Sequence, residues 1–360
     1  MSLRIGVDPL RPRDLRADTL GVLVPALVLT GLGLICVYSF GGAHVVRQAI
    51  WAALGVAACI GVSRLPIETV RRGAGPLLAV VVVLLAAALL FAPAVAGTKR
   101  WLVIPSVAFF QPSELAKLAV VLFLADGLAR GAGRERRHVW PLVWPVGLVC
   151  LLVLCGPDLG TAMFLAAITA AMLLVGGAKV GRVLAVATVA LPLLLAVAAH
   201  HPYMHRRLEF FRGELNYQQD QALLAFGSGG LMGNGLGAGR QKMDYLPAGH
   251  TDFVLPNVGE ELGFLGVALI GVLFALILVH GARVALVALR RRDHFAFHVA
   301  CGATFVVVFQ AVVNMAVATA AAPTKGISLP FLSQGGSNLL MALVAVGLVV
   351  NVGRSLEAST

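Results

Sequence analysis

The chain alternates between long apolar stretches and short polar connections. Crossing a bilayer as a helix takes about 20 residues. Stretches of this kind occur at roughly 19–39, 45–62, 75–96, 113–130, 139–155, 158–176, 180–199, 258–288, 297–321 and 337–353. The pattern predicts an all-α polytopic membrane protein with about ten transmembrane helices. It also predicts one integral membrane domain over residues 1–360, because the spacing leaves no room for a sizeable water-soluble core.

Basic residues are unevenly distributed between the two sets of connections. The segment before the first span and the connections after the second, fourth, sixth and eighth are rich in arginine. The short connections on the opposite side hold only Arg47, Lys99, Arg100 and Lys325. Because basic loops stay in the cytoplasm, we expect residues 1–18 and 354–360 to be cytoplasmic. The long connection at residues 200–256, between the seventh and eighth spans, is then extracytoplasmic.

Composition agrees with a membrane protein and argues against other classes. Apolar residues make up 59% of the chain, with 40 glycines in addition, which exceeds the usual content of soluble domains. The net charge of +11 does not indicate nucleic-acid binding, since the basic residues lie in short clusters between apolar stretches. The five cysteines show neither CxxC pairs nor neighbouring histidines, so no disulfide framework or zinc site is indicated. The first stretch is too long for a signal-peptide core, and we expect it to be retained.

The long connection is the most polar and glycine-rich part of the chain. Seven glycines lie between Gly227 and Gly239, and we expect residues 222–239 to form a re-entrant or interfacial segment. A connection of this length inside a compact domain is usually functional. A dinucleotide site would need a preceding strand and a βαβ unit, and the sequence predicts neither.

Asp252 is the strongest catalytic candidate of this region. It follows the glycine-rich run, lies just before a predicted span, and has only His250 as a neighbouring cationic group in sequence. Asn257 with Glu260 three residues later predicts the capping box of the next helix, which leaves Asp252 without an evident structural role. We therefore predict that Asp252 is a general base.

Further candidates lie at the same predicted face. Glu114 and Lys117 are three residues apart after a Gln-Pro-Ser helix start, so they share one helix face, either as a structural ion pair or as part of a site. In both cases Lys117 should face protein or a polar cavity rather than lipid. Asp158 is expected to cap the following helix. Lys99 and Arg100, beside Trp101, are candidates for binding an anionic head group.

The last predicted outer connection, residues 323–337, contains two prolines, three glycines, Lys325 and Ser333. Irregular backbone at membrane depth must lie against protein or line a watery cavity. We therefore predict that this connection forms one wall of a site.

These motifs together resemble the SEDS family (FtsW, RodA and SpoVE) of bacterial cell-wall glycosyltransferases. The resemblance rests on motifs in order along the chain: GTKRWL from Gly97, QPSELAKL from Gln111, PDLGTA from Pro157, the glycine-rich stretch through HTDF and GEELG, and PTKGISLPF from Pro323. The Thr324-Lys325-Gly326 and Arg240-Gln241-Lys242 segments are closer to FtsW than to RodA. Gln334 and Asn338 depart from the family pattern, which commonly has tyrosine and serine there.

The resemblance implies a peptidoglycan glycosyltransferase that polymerises lipid II at the outer membrane face, in division or elongation. It implies that Asp252 takes the proton of the acceptor hydroxyl. The substrate-binding candidates are Lys99, Arg100, Glu114, Lys117, Arg240, Lys242, His250, Lys325 and Ser333. The resemblance names no certain cofactor; either protein cations or a divalent cation, Mg²⁺ or Mn²⁺, would stabilise the pyrophosphate leaving group.

The implied partners are lipid II, the nascent glycan strand, a class B penicillin-binding protein with transpeptidase activity, and other membrane proteins of a division or elongation complex; no nucleic acid is implied. A lipid II flippase or transporter is the main alternative, because broken helices and intramembrane charges also describe transporters. A non-catalytic scaffold of a division complex is the third.

Overall fold

The structure is a computed structural model that describes residues 12–40, 42–93, 100–104, 108–131, 139–188, 217–239, 249, 251–324 and 326–358. Its helices are α1 (Pro12–Tyr38), α2 (Gly42–Arg64), α3 (Ile67–Phe91), α4 (Pro112–Arg130), α5 (Trp140–Cys155), α6 (Leu159–Val175), α7 (Tyr217–Gly229), α8 (Val254–Arg290), α9 (His294–Ala318) and α10 (Gly336–Ala358). Residues 180–188, where the predicted seventh span begins, are also helical.

The helices confirm the predicted class of a polytopic, helical membrane protein. Within the described residues, α1, α2, α3, α8, α9 and α10 are long and apolar enough to cross a membrane, and α5 and α6 are shorter apolar helices. The fourth predicted span is present as α4, which carries Glu114, Lys117, Asp126 and Arg130 along its length. Glu114, Lys117 and Asp126 are buried against protein, as expected of charged residues in a membrane helix, while Arg130 at the last turn is exposed.

Burial separates central helices from peripheral ones. In the 18-residue apolar stretch of each helix, 67% of α9 and 72% of α10 is buried inside the protein, against 28% of α2 and 28% of α3. Helix α9 packs against α4, α8 and α10, while α10 packs against α2 and α1. The outer surface of α3 exposes Val83, Leu90 and Phe91, as expected of a helix whose solvent is lipid. The polar site is therefore built around α4, α9 and α10.

A small β-hairpin lies between α3 and α4. Strands β1 (Leu102–Ile104) and β2 (Ala108–Phe110) are antiparallel, with Leu102 opposite Phe110. The all-α prediction did not include it, because two strands of three residues are too short to produce a periodic signal. The hairpin leads directly into Gln111, which precedes the first turn of α4.

Helix α8 is broken at Gly263, whose φ of 67° is incompatible with a continuous helix. In an unbroken helix the amides of Phe264 and Leu265 would donate to the carbonyls four residues earlier. They donate instead to the carbonyls of Gly230 and Leu231, at 2.9 and 3.2 Å. The segment after α7 thus replaces part of the hydrogen-bond ladder of α8.

The carbonyls released by the break are satisfied by the same segment. The amide of Asn234 donates to the Glu260 carbonyl at 3.0 Å, and the amide of Gly235 donates to the Glu261 carbonyl at 3.0 Å. Buried backbone groups are expensive to leave unpaired, so the segment after α7 and the break in α8 depend on each other. The residues predicted to form a re-entrant or interfacial piece, 222–239, comprise most of α7 and the turns after it, docked on α8.

The connection before α10 is anchored by a buried aromatic side chain. Phe331 is fully buried with a φ of 67°, a left-handed conformation that costs free energy for a residue with a side chain. Its ring stacks on Phe274 of α8, with centroids 6.2 Å apart, and its carbonyl lies against Gly33 of α1. Packing against two helices holds this connection in place beside the site.

Replacing Gly263 by alanine tests the exchange of hydrogen bonds at the break. A Cβ there would lie 2.4 Å from the Gly233 amide nitrogen, on a backbone that disfavours L side chains, so Gly263→Ala should cost about 2 kcal/mol or more. The measurement is the midpoint of unfolding in detergent. Gly271→Ala, in the same helix with nothing within 4 Å of the added Cβ, should unfold at or above the wild-type midpoint. Equal midpoints for the two variants would contradict the interpretation.

Candidate active site

A polar cavity of about 220 Å³ lies at one end of the helix bundle. Four helices begin beside it, and each contributes lining residues at or near its start: Glu114 and Lys117 of α4, Thr161 of α6, Thr251 and Asp252 before α8, and Ser337 and Asn338 of α10. Arg100, Trp101 and the connection before α10 complete the wall. The N-terminal ends of helices carry partial positive charge, so this end of the bundle favours negative charge in the cavity.

Asp252 lines the cavity and is held through its backbone. Its carbonyl accepts a hydrogen bond of 2.8 Å from the amide nitrogen of Asn314 on α9. The Ser328 hydroxyl lies 3.4 Å from Asp252 Oδ1, and a Cβ on Gly326 would lie 3.2 Å from Oδ2. The connection before α10 therefore passes close to this carboxylate and forms part of the cavity wall.

The predicted capping role of Asn257 is wrong. Helix α8 begins at Val254, one turn earlier than the sequence indicated, and Phe253 at the N-cap supplies no side-chain hydrogen bond. Asn257 lies inside the helix, where its Nδ2 donates to the carbonyls of Gly249 and Phe253 at 2.9 and 3.2 Å. It fastens the segment before α8 to the helix, and so still helps to fix the position of Asp252.

Lys117 is buried, with only 4% of its surface exposed. Its ammonium lies 2.8 Å from Glu114 Oε1 and 5.1 Å from the centre of the Phe164 ring. It also donates to Gln310 Oε1 of α9 at 2.7 Å. The expectation that Lys117 faces protein and a polar cavity is thus met, and the pairing with Glu114 is real.

Gln310 extends this interaction to the other wall. Its Nε2 donates to the Ser328 carbonyl and to Asn338 Oδ1 of α10, each at 2.8 Å. Asn314, one turn along α9, donates to the Ile327 carbonyl at 2.7 Å as well as to Asp252. Sequence reasoning missed both amides, although two polar side chains four residues apart inside an apolar span are a detectable signal.

Asp158 performs its predicted capping role and takes part in a second network. Its carboxylate accepts from the Thr161 amide at 3.0 Å and from the Thr161 hydroxyl at 2.9 Å. Gln111 Nε2 donates to it at 3.2 Å, and Arg100 Nη1 lies 3.8 Å away. Asp158 at the start of α6 thus holds Arg100 at the edge of the cavity.

Ser333 does not reach the cavity, which corrects its assignment as a substrate-binding candidate. It is 1% exposed, and its hydroxyl accepts a hydrogen bond of 2.7 Å from the Leu329 amide. Its carbonyl accepts from Gln48 Nε2 of α2 at 3.0 Å. Because both oxygens are used inside the protein, Ser333 stabilises the turn around Phe331 instead of contacting a ligand.

The remaining candidates, Lys99, Arg240, Lys242, His250 and Lys325, lie outside the described residues. Among the residues that are described, no three His, Cys, Asp or Glu side chains come together as a metal site. Of the carboxylates lining the cavity, Glu114 is already paired with Lys117.

Comparisons with known proteins agree on one family. The family FtsW/RodA/SpoVE, described as "Cell cycle protein", matches residues 19–358. The "Probable peptidoglycan glycosyltransferase FtsW" of Trichlorobacter lovleyi is 36% identical over 372 residues, covering 96% of each chain.

Two solved structures share the fold at 28% identity and cover 93% of this chain. One, from work on "structural coordination of polymerization and crosslinking by a peptidoglycan synthase complex", has a TM-score of 0.78 and is covered to 97%. The other, the rod shape determining protein RodA of Thermus thermophilus, has a TM-score of 0.70 and is covered to 96%.

The buried Lys117–Glu114 pair yields a double-mutant prediction. Lys117→Met leaves the Glu114 carboxylate buried without its cation, and breaking a buried pair in this way typically costs about 3–5 kcal/mol. The double variant Glu114→Gln/Lys117→Met removes both charges and should be more stable than Lys117→Met alone. Unfolding midpoints in detergent measure this coupling. If the stability lost by the double variant equals the sum of the losses of Glu114→Gln and Lys117→Met measured separately, the two side chains do not interact as their distance indicates.

Proposed function

Because the chain belongs to the FtsW/RodA/SpoVE family of cell cycle proteins, we propose that it is a peptidoglycan glycosyltransferase that polymerises lipid II at the outer face of the cytoplasmic membrane. The observation that carries the proposal is that the carboxylate of Asp252 and the cation of Arg100 line one polar cavity, beside the paired Lys117 and Glu114. A glycosyl transfer with a pyrophosphate leaving group needs a base and positive charge within one site.

In the proposed reaction, Asp252 accepts the proton of the 4-hydroxyl of the acceptor's N-acetylglucosamine. The hydroxyl oxygen forms a bond to the anomeric carbon at the end of the growing glycan, and the bond from that carbon to undecaprenyl pyrophosphate breaks. The electron pair of the broken bond stays on the pyrophosphate. Arg100 and the starts of four helices supply positive potential where this charge develops.

Lys117 contributes less free charge than its position suggests, since Glu114 is 2.8 Å away. We assign it to the organisation of the cavity wall and to hydrogen bonding. We assign the larger share of charge stabilisation to Arg100, whose ion pair with Asp158 is looser, at 3.8 Å. The candidates Lys99, Arg240, Lys242, His250 and Lys325 remain proposed substrate-binding residues on the strength of the resemblance.

The lipid anchors of both substrates fit a site at a membrane face. Moving long isoprenoid chains into water would be costly, and a cavity at the end of a helix bundle allows the reacting groups to meet while the chains stay in the bilayer. We propose a class B penicillin-binding protein as the transpeptidase partner. The structural relative described as part of a peptidoglycan synthase complex supports such an assembly.

Asp252→Ala is the decisive variant. With purified lipid II and the cognate penicillin-binding partner, the wild type should form glycan polymer, and Asp252→Ala should lower the rate about 100-fold or more, as expected for loss of a general base. Asp293→Asn is the matched control, because Asp293 caps α9 and asparagine caps equally well. Polymer formed equally by Asp252→Ala would eliminate Asp252 as the base, and translocation of lipid II without polymer would favour the flippase.

The proposed orientation has its own test. Green fluorescent protein fused after Thr360 should fluoresce, because it folds in the cytoplasm, and alkaline phosphatase inserted between residues 200 and 216 should be active, because it requires the outer side. The arginine-rich connections predict this arrangement. An active phosphatase fused after Thr360 would reverse the assigned topology and place the cavity on the cytoplasmic side.

A further inference from the structure

Asn314 of α9 is bonded to both of the segments that meet at the carboxylate of Asp252. Its side chain is 1% exposed, and its Nδ2 donates to the Asp252 carbonyl at 2.8 Å and to the Ile327 carbonyl at 2.7 Å. Both partners are backbone carbonyls, which can only accept, so the surroundings fix the orientation of the amide. The two hydrogens of one nitrogen therefore tie the segment before α8 to the connection before α10.

Each of these two segments is also held to a neighbouring helix by another amide. Asn257 of α8 holds the segment before α8 through two of its carbonyls, and Gln310 of α9 holds the Ser328 carbonyl of the connection before α10 at 2.8 Å. Those bonds fix the course of each segment separately. The two bonds of Asn314 join the segments to each other and so set the gap between them.

This gap contains the carboxylate that we propose as the base. Ser328 Oγ lies 3.4 Å from Asp252 Oδ1, and a Cβ on Gly326 would lie 3.2 Å from Oδ2. All three residues line the polar cavity. A shift of either segment would therefore change the position of the carboxylate and the space left for an acceptor hydroxyl.

We propose that Asn314 is a positioning residue for the transferase reaction, which holds the Asp252 carboxylate where it can remove the proton of the acceptor hydroxyl. Asn314 is enclosed by protein and acts through Asp252, not on the substrate. A misplacement of about 1 Å in an active site can lower the rate about 100-fold, so loss of this clamp should slow the chemical step. The inference rests on the proposed function for the reaction that Asp252 serves.

The test compares Asn314→Leu with Asn351→Leu, in the full-length protein with its cognate penicillin-binding partner. Asn351 is 2% exposed, and its Nδ2 also donates to two backbone carbonyls, those of Val62 and Leu65, at 2.9 and 2.6 Å. It lies towards the opposite end of α10 from the cavity-lining Asn338. Both substitutions leave two carbonyls without this donor, so they should lower the unfolding midpoint to a similar extent.

The two variants should differ in their kinetics. Asn314→Leu should lower kcat for polymerisation about 10- to 100-fold and change the KM for lipid II much less, because a misplaced base slows the chemical step. Asn351→Leu should keep the wild-type kcat. A loss of kcat shared by both variants, or a loss confined to KM, would contradict the proposal.

An Asp252→Ala background separates positioning of the base from general damage. Without the carboxylate there is no base to position, so adding Asn314→Leu should leave the residual rate unchanged in single turnovers of labelled lipid II. A further fall of about tenfold would show that Asn314 acts independently of Asp252, and the assignment would then be wrong.

Hydrogen exchange supplies a readout that does not depend on activity. Asn314→Leu should speed amide exchange in peptides covering residues 251–255 and 326–332, whereas Asn351→Leu should leave both peptides as in the wild type. Unchanged exchange in Asn314→Leu would show that the clamp does not exist. If Asn314→Leu fails to fold, Asn314→Ala removes the same donor without filling the space, and Asn351→Ala becomes its control.

Failure of the proposed function gives a different result. A wild type that forms no polymer, together with the expected change in hydrogen exchange, would remove the polymerase function and leave the clamp between the two segments standing.

Discussion

A buried ammonium must be paired, and the pairing of Lys117 organises the site. Its ammonium donates to Glu114 of the same helix and to Gln310 of α9. Because Gln310 has to present its oxygen to the lysine, its nitrogen is directed to Asn338 and to the connection before α10. One cation thereby fixes the relative placement of three central helices and the polarity of the amides that face the cavity.

Backbone hydrogen bonding imposes the second constraint. A helix that spans lipid cannot be interrupted without other partners for the freed groups. At Gly263 the partners come from the segment after α7, which both donates to and accepts from the broken ladder. The glycines of this region are needed because the two backbones approach closely: a Cβ on Gly229 would collide with the Gly259 carbonyl. The break also separates the short first part of α8, next to Asp252, from the long part that crosses the bundle.

The cavity combines groups that would be unfavourable elsewhere in a membrane protein. Four helix starts and Arg100 contribute positive potential to it, Lys117 is paired with Glu114, and the connection before α10 passes close to the Asp252 carboxylate. This end of the bundle packs against α9, and α2 and α3 present apolar surfaces to the lipid. The polar groups are thereby kept away from the bilayer. Such a division between a polar centre and an apolar exterior suits a reaction between polar head groups that carry lipid chains.

The sequence by itself determined the membrane class, the helices and the main catalytic candidate, because apolar stretches of fixed length and charged residues within them are strong local signals. It placed the starts of α4 and α6 correctly through Gln111-Pro112 and Asp158. It singled out Gln334 and Asn338 as departures from a family pattern, but gave no reason for them.

Only the tertiary structure decided that these two amides share a cavity wall, that Ser333 is turned inside, that Asn257 lies within its helix, and that Gln310 and Asn314 join the walls. Those facts depend on contacts between residues far apart in the chain, such as Lys117 with Gln310, and no local pattern of hydrophobic and polar positions encodes which distant side chains meet.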